Sequence, residues 1–274
     1  SFLVSQVKFF GILFHIFYFN IIKKFLGYNK FLKHIQLLEL ITVCQILKTF
    51  LRSNLNNELF FLTTQTFTKG VNMAWIETVA YEDANAKLKV LYDRIKGPDN
   101  NVDNIMMMHS LRPHSMEGHM AIYKYVLHHR ENTIDKWFLE TLGVWVSALN
   151  KCNYCVEHHF AGLQRLLGDN EKATQIRRAI ETNDIEAAPL DDRQKTAMEY
   201  ARQLTQDPGG MCEDIIKRLR AAGYSDGEVL EINQVSSYFS YANRTVLGLG
   251  CSTEGDILGL SPNNNDDPYD WGHS

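Results

Sequence analysis

A chain of 274 residues, 45% hydrophobic with a net charge of −4, has ample length to bury a core, as one large domain or two small ones. Residues 1–72 hold eight of the 28 Lys/Arg but only two of the 32 Asp/Glu, so the chain from Met73 onward is acidic. With no Lys/Arg block interleaved with aromatics, that balance excludes nucleic acid as a partner. The five cysteines, at 44, 152, 155, 212 and 251, include one close pair and no spacing framework of a secreted disulfide scaffold; they suit a reducing, cytoplasmic compartment.

Residues 1–72 form a leader of different character, with twelve of the fifteen Phe and no Asp, Pro or Met. Three readings compete for it. As an anchor, the apolar run Phe9–Phe19 is shorter than the roughly 20 residues a spanning helix needs, and His15 and Asn20 interrupt it. As a targeting presequence it has the missing acids but hardly any Arg, and no small-residue cleavage site. As translation of AT-rich sequence upstream of a start at Met73, it has the expected Phe, Ile, Leu, Lys and Asn. Composition favours the third, so function is read from residues 73–274, with membrane or organelle targeting left open.

From Met73 the pattern is helical almost throughout. Leu88, Leu91, Tyr92 and Ile95 recur at helical spacing and stop at Gly97-Pro98. Met106–Met108 reads as core filling, and Pro113 suits the first turn of the next helix. His109, His114 and His119 read as exposed, and His128-His129-Arg130 as a helix end that favours cations. Ile134, Phe138, Leu142, Val146 and Leu149 make one stripe, with Thr133 or Asp135 as its cap. A helix from Cys152 to Leu167 closes at Gly168. Further helices start at the Asp191-Asp192 caps and at Ser225, with breaks at Pro208-Gly209-Gly210 and Ala222-Gly223. The prediction is an all-α, single multi-helix domain over residues 73–260, of seven or eight helices, followed by a polar tail over 261–274, extended or disordered, whose Trp271 could dock on a neighbour.

"CNYCVEHH" (Cys152 to His159) gathers two thiols and two imidazoles within eight residues. At about 100° per residue, His159 projects between Cys152 and Cys155, with His158 further round. Cys155 and His159 are neighbours at i and i+4. Both thiols occupy the first turn, where free N–H groups and the helix dipole favour an anion. A thiolate there can attack a peroxide oxygen and become a sulfenic acid, which the second thiol condenses to a disulfide. Glu140, flanked by apolar residues on the preceding helix, reads either as a buried carboxylate that a His satisfies or as part of a polar helix face.

Glu140, Cys152-Asn153-Tyr154-Cys155 and His159 together resemble the active-site pattern of the alkylhydroperoxidase D-like proteins of the carboxymuconolactone decarboxylase superfamily. The later "LDDRQKTAMEYARQLTQDP", "AAGYSDGEVLEIN" and "YFSYANRTVLGLG" resemble its longer peroxidase-related members. The resemblance spans about Trp75 to Gly250 and implies an all-α fold of that type. It implies a peroxidase without cofactor, with Cys155 peroxidatic, Cys152 resolving, and His159 linked to Glu140 as the base. It also implies hydrogen peroxide or an organic hydroperoxide as substrate, an external lipoyl or thioredoxin-like dithiol as reductant, and a homo-oligomer, for which "WFLETLGVWV" and "SSYFSY" offer apolar surface. Tyr154 stands where some members have histidine, and His158 is an extra imidazole; both are secondary candidates.

Rival readings stay beside it. Zinc would find Cys152, Cys155, His159 and Glu140 as a ligand count, though three ligands on one helical turn fit a tetrahedron poorly. Val156 stands where haem attachment needs histidine. "GLGCSTEG" lacks the Lys and Ser/Thr context of a phosphate loop, and Cys212 and Cys251 read as single, inert thiols. Outside peroxidase chemistry there remain a lactone decarboxylase-like lyase, against which the cysteine pair argues, and a non-enzymatic redox-sensing module.

Overall fold

In the computed structural model the chain divides into two units, residues 1–70 and 71–274. The structure describes residues 73–267 and 269–273, so the leader readings fall outside the described residues. The described residues form nine α-helices and no β-strand: α1 (Ala86–Ile95), α2 (Asn104–Met107), α3 (Pro113–Tyr123), α4 (Lys136–Leu149), α5 (Asn153–Leu167), α6 (Asn170–Glu181), α7 (Asp192–Gln206), α8 (Glu213–Ala221) and α9 (Asp226–Leu249). The all-α expectation holds, and the ninth helix is the four-residue turn α2.

The helix boundaries follow local chemistry. Asp191 and Ser225 each close a capping box, with Gln194 and Glu228 reaching back to the cap backbone. Pro113 takes the first position of α3, where its missing N–H costs nothing. Gly168 ends α5 in the left-handed region at φ 66°. The cap expected before α4 differs: Asp135 stands there without a side-chain bond, and the Glu231 carboxylate on α9 instead accepts from the backbone N–H groups of Thr133 and Ile134.

α4 is the centre of the bundle. Every residue from Phe138 to Ser147 is buried, beyond the single stripe that its periodicity predicts, because α5, α6, α7 and α9 surround it. Trp145 fills the α4–α7 seam and donates its indole N–H to the Met198 carbonyl at 3.0 Å. A second, smaller core joins Leu88, Leu91, Tyr92, Met106, Met116 and Met120 to Trp271. The apolar stretches that suggest an oligomer are mostly used within the chain: Phe138, Trp145, Tyr238 and Phe239 are buried, while Tyr241 stays exposed.

Two expectations need correction. His109 and His119, expected on the surface, are buried, and only His114 of the three is exposed. The tail, expected to be extended and polar, is docked. Lys124, fully buried in the π-helical turn Lys124–His128, donates to Asn265 Oδ1 (2.8 Å), the Asp267 carbonyl (2.7 Å) and the Asp270 carbonyl (2.7 Å). An ammonium has three N–H donors, and all three are spent on the tail. Arg94 adds a cation–π contact to Trp271, 3.9 Å from the ring centroid, and Pro262 pairs with His273 in an isolated antiparallel bridge.

Candidate active site

Cys152 is the N-cap of α5 and Cys155 the third residue of its first turn; both are buried and reduced. Their sulfurs lie 3.3 Å apart. That hydrogen bond is the main influence on both thiols and moves them in opposite directions. It holds Cys152 below the ordinary thiol range and, together with burial, pushes Cys155 well above it. The two sulfurs therefore titrate as a unit: the first ionisation belongs to both, and the proton then left lies between them. Asn243 on α9, itself tied to Asn150 and Ser147, lies against the pair and lowers both.

One turn further along α5, His159 donates from Nδ1 to Glu140 Oε2 at 2.7 Å. Burial drives the Glu140 carboxyl upward, but His159, His128 and Arg165 outweigh it and hold the group below its usual range. An ionised carboxylate only accepts, so the bond fixes the His159 tautomer and leaves Nε2 with the lone pair a base needs. Two glycines make room for this dyad. At Gly162 a Cβ would come 3.3 Å from Glu140 Oε1. At Gly143 it would fall 2.2 Å from the Phe239 ring, which meets His159 edge-on at 4.5 Å and 86°.

A pocket opens onto this group, lined by Cys155, His158, His159 and Glu140 from α4 and α5, and by Asp103, Tyr123, Tyr154, Tyr238 and His273 around it. Cys152 does not line it. His128, expected as a helix-end cation, is buried with Nε2 3.5 Å from Glu140 Oε1, and burial depresses its pKa to about 3. The π-helical turn places it there: the wider turn shifts the faces that a 3.6-residue period predicts.

Tyr154 and His158 belong to a second group that also lines the pocket. Asp256, in the loop after α9, receives Tyr154 OH at 2.7 Å and His158 Nε2 at 3.0 Å on one oxygen. The rings of Tyr154 and His158 stack at 4.5 Å. Asp103 joins them: one donor atom each from Asp103, His158 and Asp256 lies within 4.8 Å of the other two. This is the sole such trio of possible metal ligands among the described residues, and the four ligands counted for zinc do not form one. Asp256 carries no sequence signal of its own, being 102 residues from Tyr154. Cys251 packs against the same cluster as the thiol pair, and burial pushes its thiol up to about 12.

No family model and no curated protein matches the chain. Solved structures do. A peroxidase-related protein with an alkylhydroperoxidase AhpD core from Ralstonia eutropha JMP134 is 19% identical, with a TM-score of 0.56, over 72% of this chain and 95% of that one. A peroxidase-related protein from Silicibacter sp. TM1040 is 21% identical, with a TM-score of 0.57, over 69% and 96%. A debrominase is 15% identical, with a TM-score of 0.53, over 65% and 91%. Among the described residues no helix is long and apolar enough to cross a membrane. The fold of this chain is that of the alkylhydroperoxidase AhpD core, the one its cysteine motif resembles.

Proposed function

We propose that the protein is a thiol-dependent peroxidase that reduces hydrogen peroxide or an organic hydroperoxide and is returned to the dithiol by an external lipoyl or thioredoxin-like reductant. A debrominase shares the fold, so the reading rests on the site. The observation that carries it is the reduced pair, with sulfurs 3.3 Å apart, at the wall of a pocket shared with a Glu140–His159 dyad. A lyase has no use for two thiols in contact.

Cys155 makes the attack because it reaches the pocket and Cys152 does not. The shared proton lets the thiolate form on Cys155 when the proton moves to Cys152 or to His159. Attack forms the S–O bond and releases water or an alcohol. Cys152 then displaces hydroxide from the sulfenic acid, which leaves as water and closes the disulfide. A pair that must be returned to the dithiol suits a reducing, cytoplasmic setting, and a homo-oligomer would cover exposed Leu230, Tyr241 and Leu247.

Single-turnover oxidation of the reduced protein tests the assignment. Cys155→Ser should consume no peroxide, whereas Cys152→Ser should complete one oxidation and stop at a sulfenic acid that dimedone captures. The reverse pattern would exchange the two roles, and unaltered turnover in both variants would end the peroxidase reading.

A further inference from the structure

The Glu140–His159 dyad accounts for removing a proton from the attacking thiol, and the other half of the reaction needs a proton delivered to the leaving oxygen. When Cys155 sulfur bonds to the terminal oxygen of a hydroperoxide, the O–O bond breaks and its electron pair leaves on the distal oxygen. An alkoxide expelled into a buried pocket is costly unless it is protonated as it forms. His159 could return the proton it has just taken; a second imidazole held by its own carboxylate offers a separate donor.

We propose that His158 is the general acid for the departing alkoxide and that Asp256 is its positioning residue, forming a second carboxylate–imidazole pair beside the first. This rests on the peroxidase reading. Three observations carry it. His158 and His159 are adjacent on α5 yet bonded to different carboxylates, Asp256 Oδ2 at 3.0 Å and Glu140 Oε2 at 2.7 Å, and both line the pocket with Cys155. With Nε2 committed to Asp256, Nδ1 is the nitrogen left to exchange a proton with the pocket.

Asp256 is held for the task. It accepts the Asn104 backbone N–H at 3.0 Å and the Tyr154 hydroxyl at 2.7 Å, and its loop is stapled to α2 by Asn104 Nδ2, which donates to the Ser252 and Glu254 carbonyls. Gly259 lets the same loop lie on α5: at φ 82° its missing Cβ would meet the Ala161 backbone at 2.9 Å.

Asp103 completes the group: a carboxylate oxygen of it lies within 4.8 Å of the His158 and Asp256 donor atoms, and the residue lines the pocket. It starts α2 without spending its side chain on a cap bond. Burial, the largest influence, raises its pKa to about 6, with Asp256 adding to the rise and His158 and His159 opposing it. The step balances: His159 gains the Cys155 proton, His158 loses one to RO⁻, and the products are Cys155 sulfenic acid and ROH. Solvent exchange at the pocket mouth restores both imidazoles.

Comparing two oxidants separates this role from a structural one. tert-Butyl hydroperoxide expels an alkoxide that needs a proton, whereas peracetic acid expels acetate, which does not. In single-turnover oxidation of the reduced full chain, His158→Gln should slow the alkyl hydroperoxide by roughly 10²–10³-fold, within the range for general acid catalysis, and change the peracid rate by less than about threefold. Asp256→Asn should show the same split, smaller. Glu140→Gln should slow both oxidants, since it acts on the attack. Equal losses for both oxidants in His158→Gln, or no loss for either, would overturn the proposal. The peracid rate also reports whether the site has kept its fold. Wild-type protein inert to both oxidants would sink the peroxidase reading itself.

Discussion

Glu140 holds two imidazoles, one on each carboxylate oxygen: His159 Nδ1 at 2.7 Å on Oε2 and His128 Nε2 at 3.5 Å facing Oε1. Only His159 is bonded; His128 Nε2 has no hydrogen-bond partner among the described residues. Burial depresses the His128 pKa to about 3, so this second ring walls the carboxylate from water while His159 alone bonds it.

If Glu140 and His159 act as one relay, Glu140→Gln and His159→Gln should each slow Cys155 oxidation by about 10²-fold or more and move its onset to higher pH. The double variant should be little worse than either single one. Additive losses in stopped-flow single turnover would show that the two residues work independently.

Gly143→Ala should act on the dyad from a distance. The added methyl would overlap the Phe239 ring, which cannot shift without leaving His159. Overpacking of this kind costs about 1–3 kcal/mol. The variant should melt lower and lose attack rate together, and pairing it with Phe239→Leu should restore stability but not rate. Unchanged melting would place the ring elsewhere in solution.

Acid should destabilise the fold below the ordinary histidine range. Burial holds His119 and His128 at about 3, against 6.5 for the free side chain, and His273 at about 4. Each group is depressed in the folded state, so the unfolded chain binds protons that the folded chain does not, and stability falls as pH drops through 6.5. Asp103, raised to about 6, has the opposite sign and offsets one histidine. Denaturant titrations should show stability level above pH 7 and falling between pH 6 and 4. Replacing His128 with Leu should flatten that slope by up to about 1.4 kcal/mol per pH unit.

Lys124→Met should free the tail while leaving the main bundle folded. Three acceptors, Asn265 Oδ1 and the carbonyls of Asp267 and Asp270, would lose their donor, at about 1–3 kcal/mol for each that stays buried. Hydrogen exchange should rise across residues 261–273 and in α1, whose Tyr92 and Leu91 share a core with Trp271. Protection confined to wild-type levels there would mean that the other tail contacts suffice.

What was legible in the sequence is what local chemistry decides. The caps at Asp191 and Ser225, Pro113 at a helix start, Gly168 at a helix end and the cluster of Cys152, Cys155 and His159 each announce themselves within a turn or two, while Glu140 stands out only through the family pattern that the motif resembles. His128 was misread because a π-helical turn intervenes, and a 3.6-residue period has no means of showing it. Asp256 and Asp103 were missed for another reason. Their partners lie on α5, far along the chain, and an Asp in a polar loop gives no sign of being buried until the loop is folded back by Asn104 and Gly259. The docked tail was missed because its anchor is a buried lysine, a residue that composition assigns to the surface.

The contact between Cys152 and Cys155 also bears on durability under oxidant load. Their sulfurs are within hydrogen-bond reach before any peroxide arrives, so a sulfenic acid on Cys155 is born beside its captor and needs only a side-chain movement to be trapped. For a peroxidase working on this pair, intramolecular capture outruns a second peroxide molecule, and the irreversible sulfinic and sulfonic acids are starved of their precursor. The catalyst then saturates rather than burns out. Its ceiling at high oxidant is set by how fast an outside dithiol can reach a buried bridge.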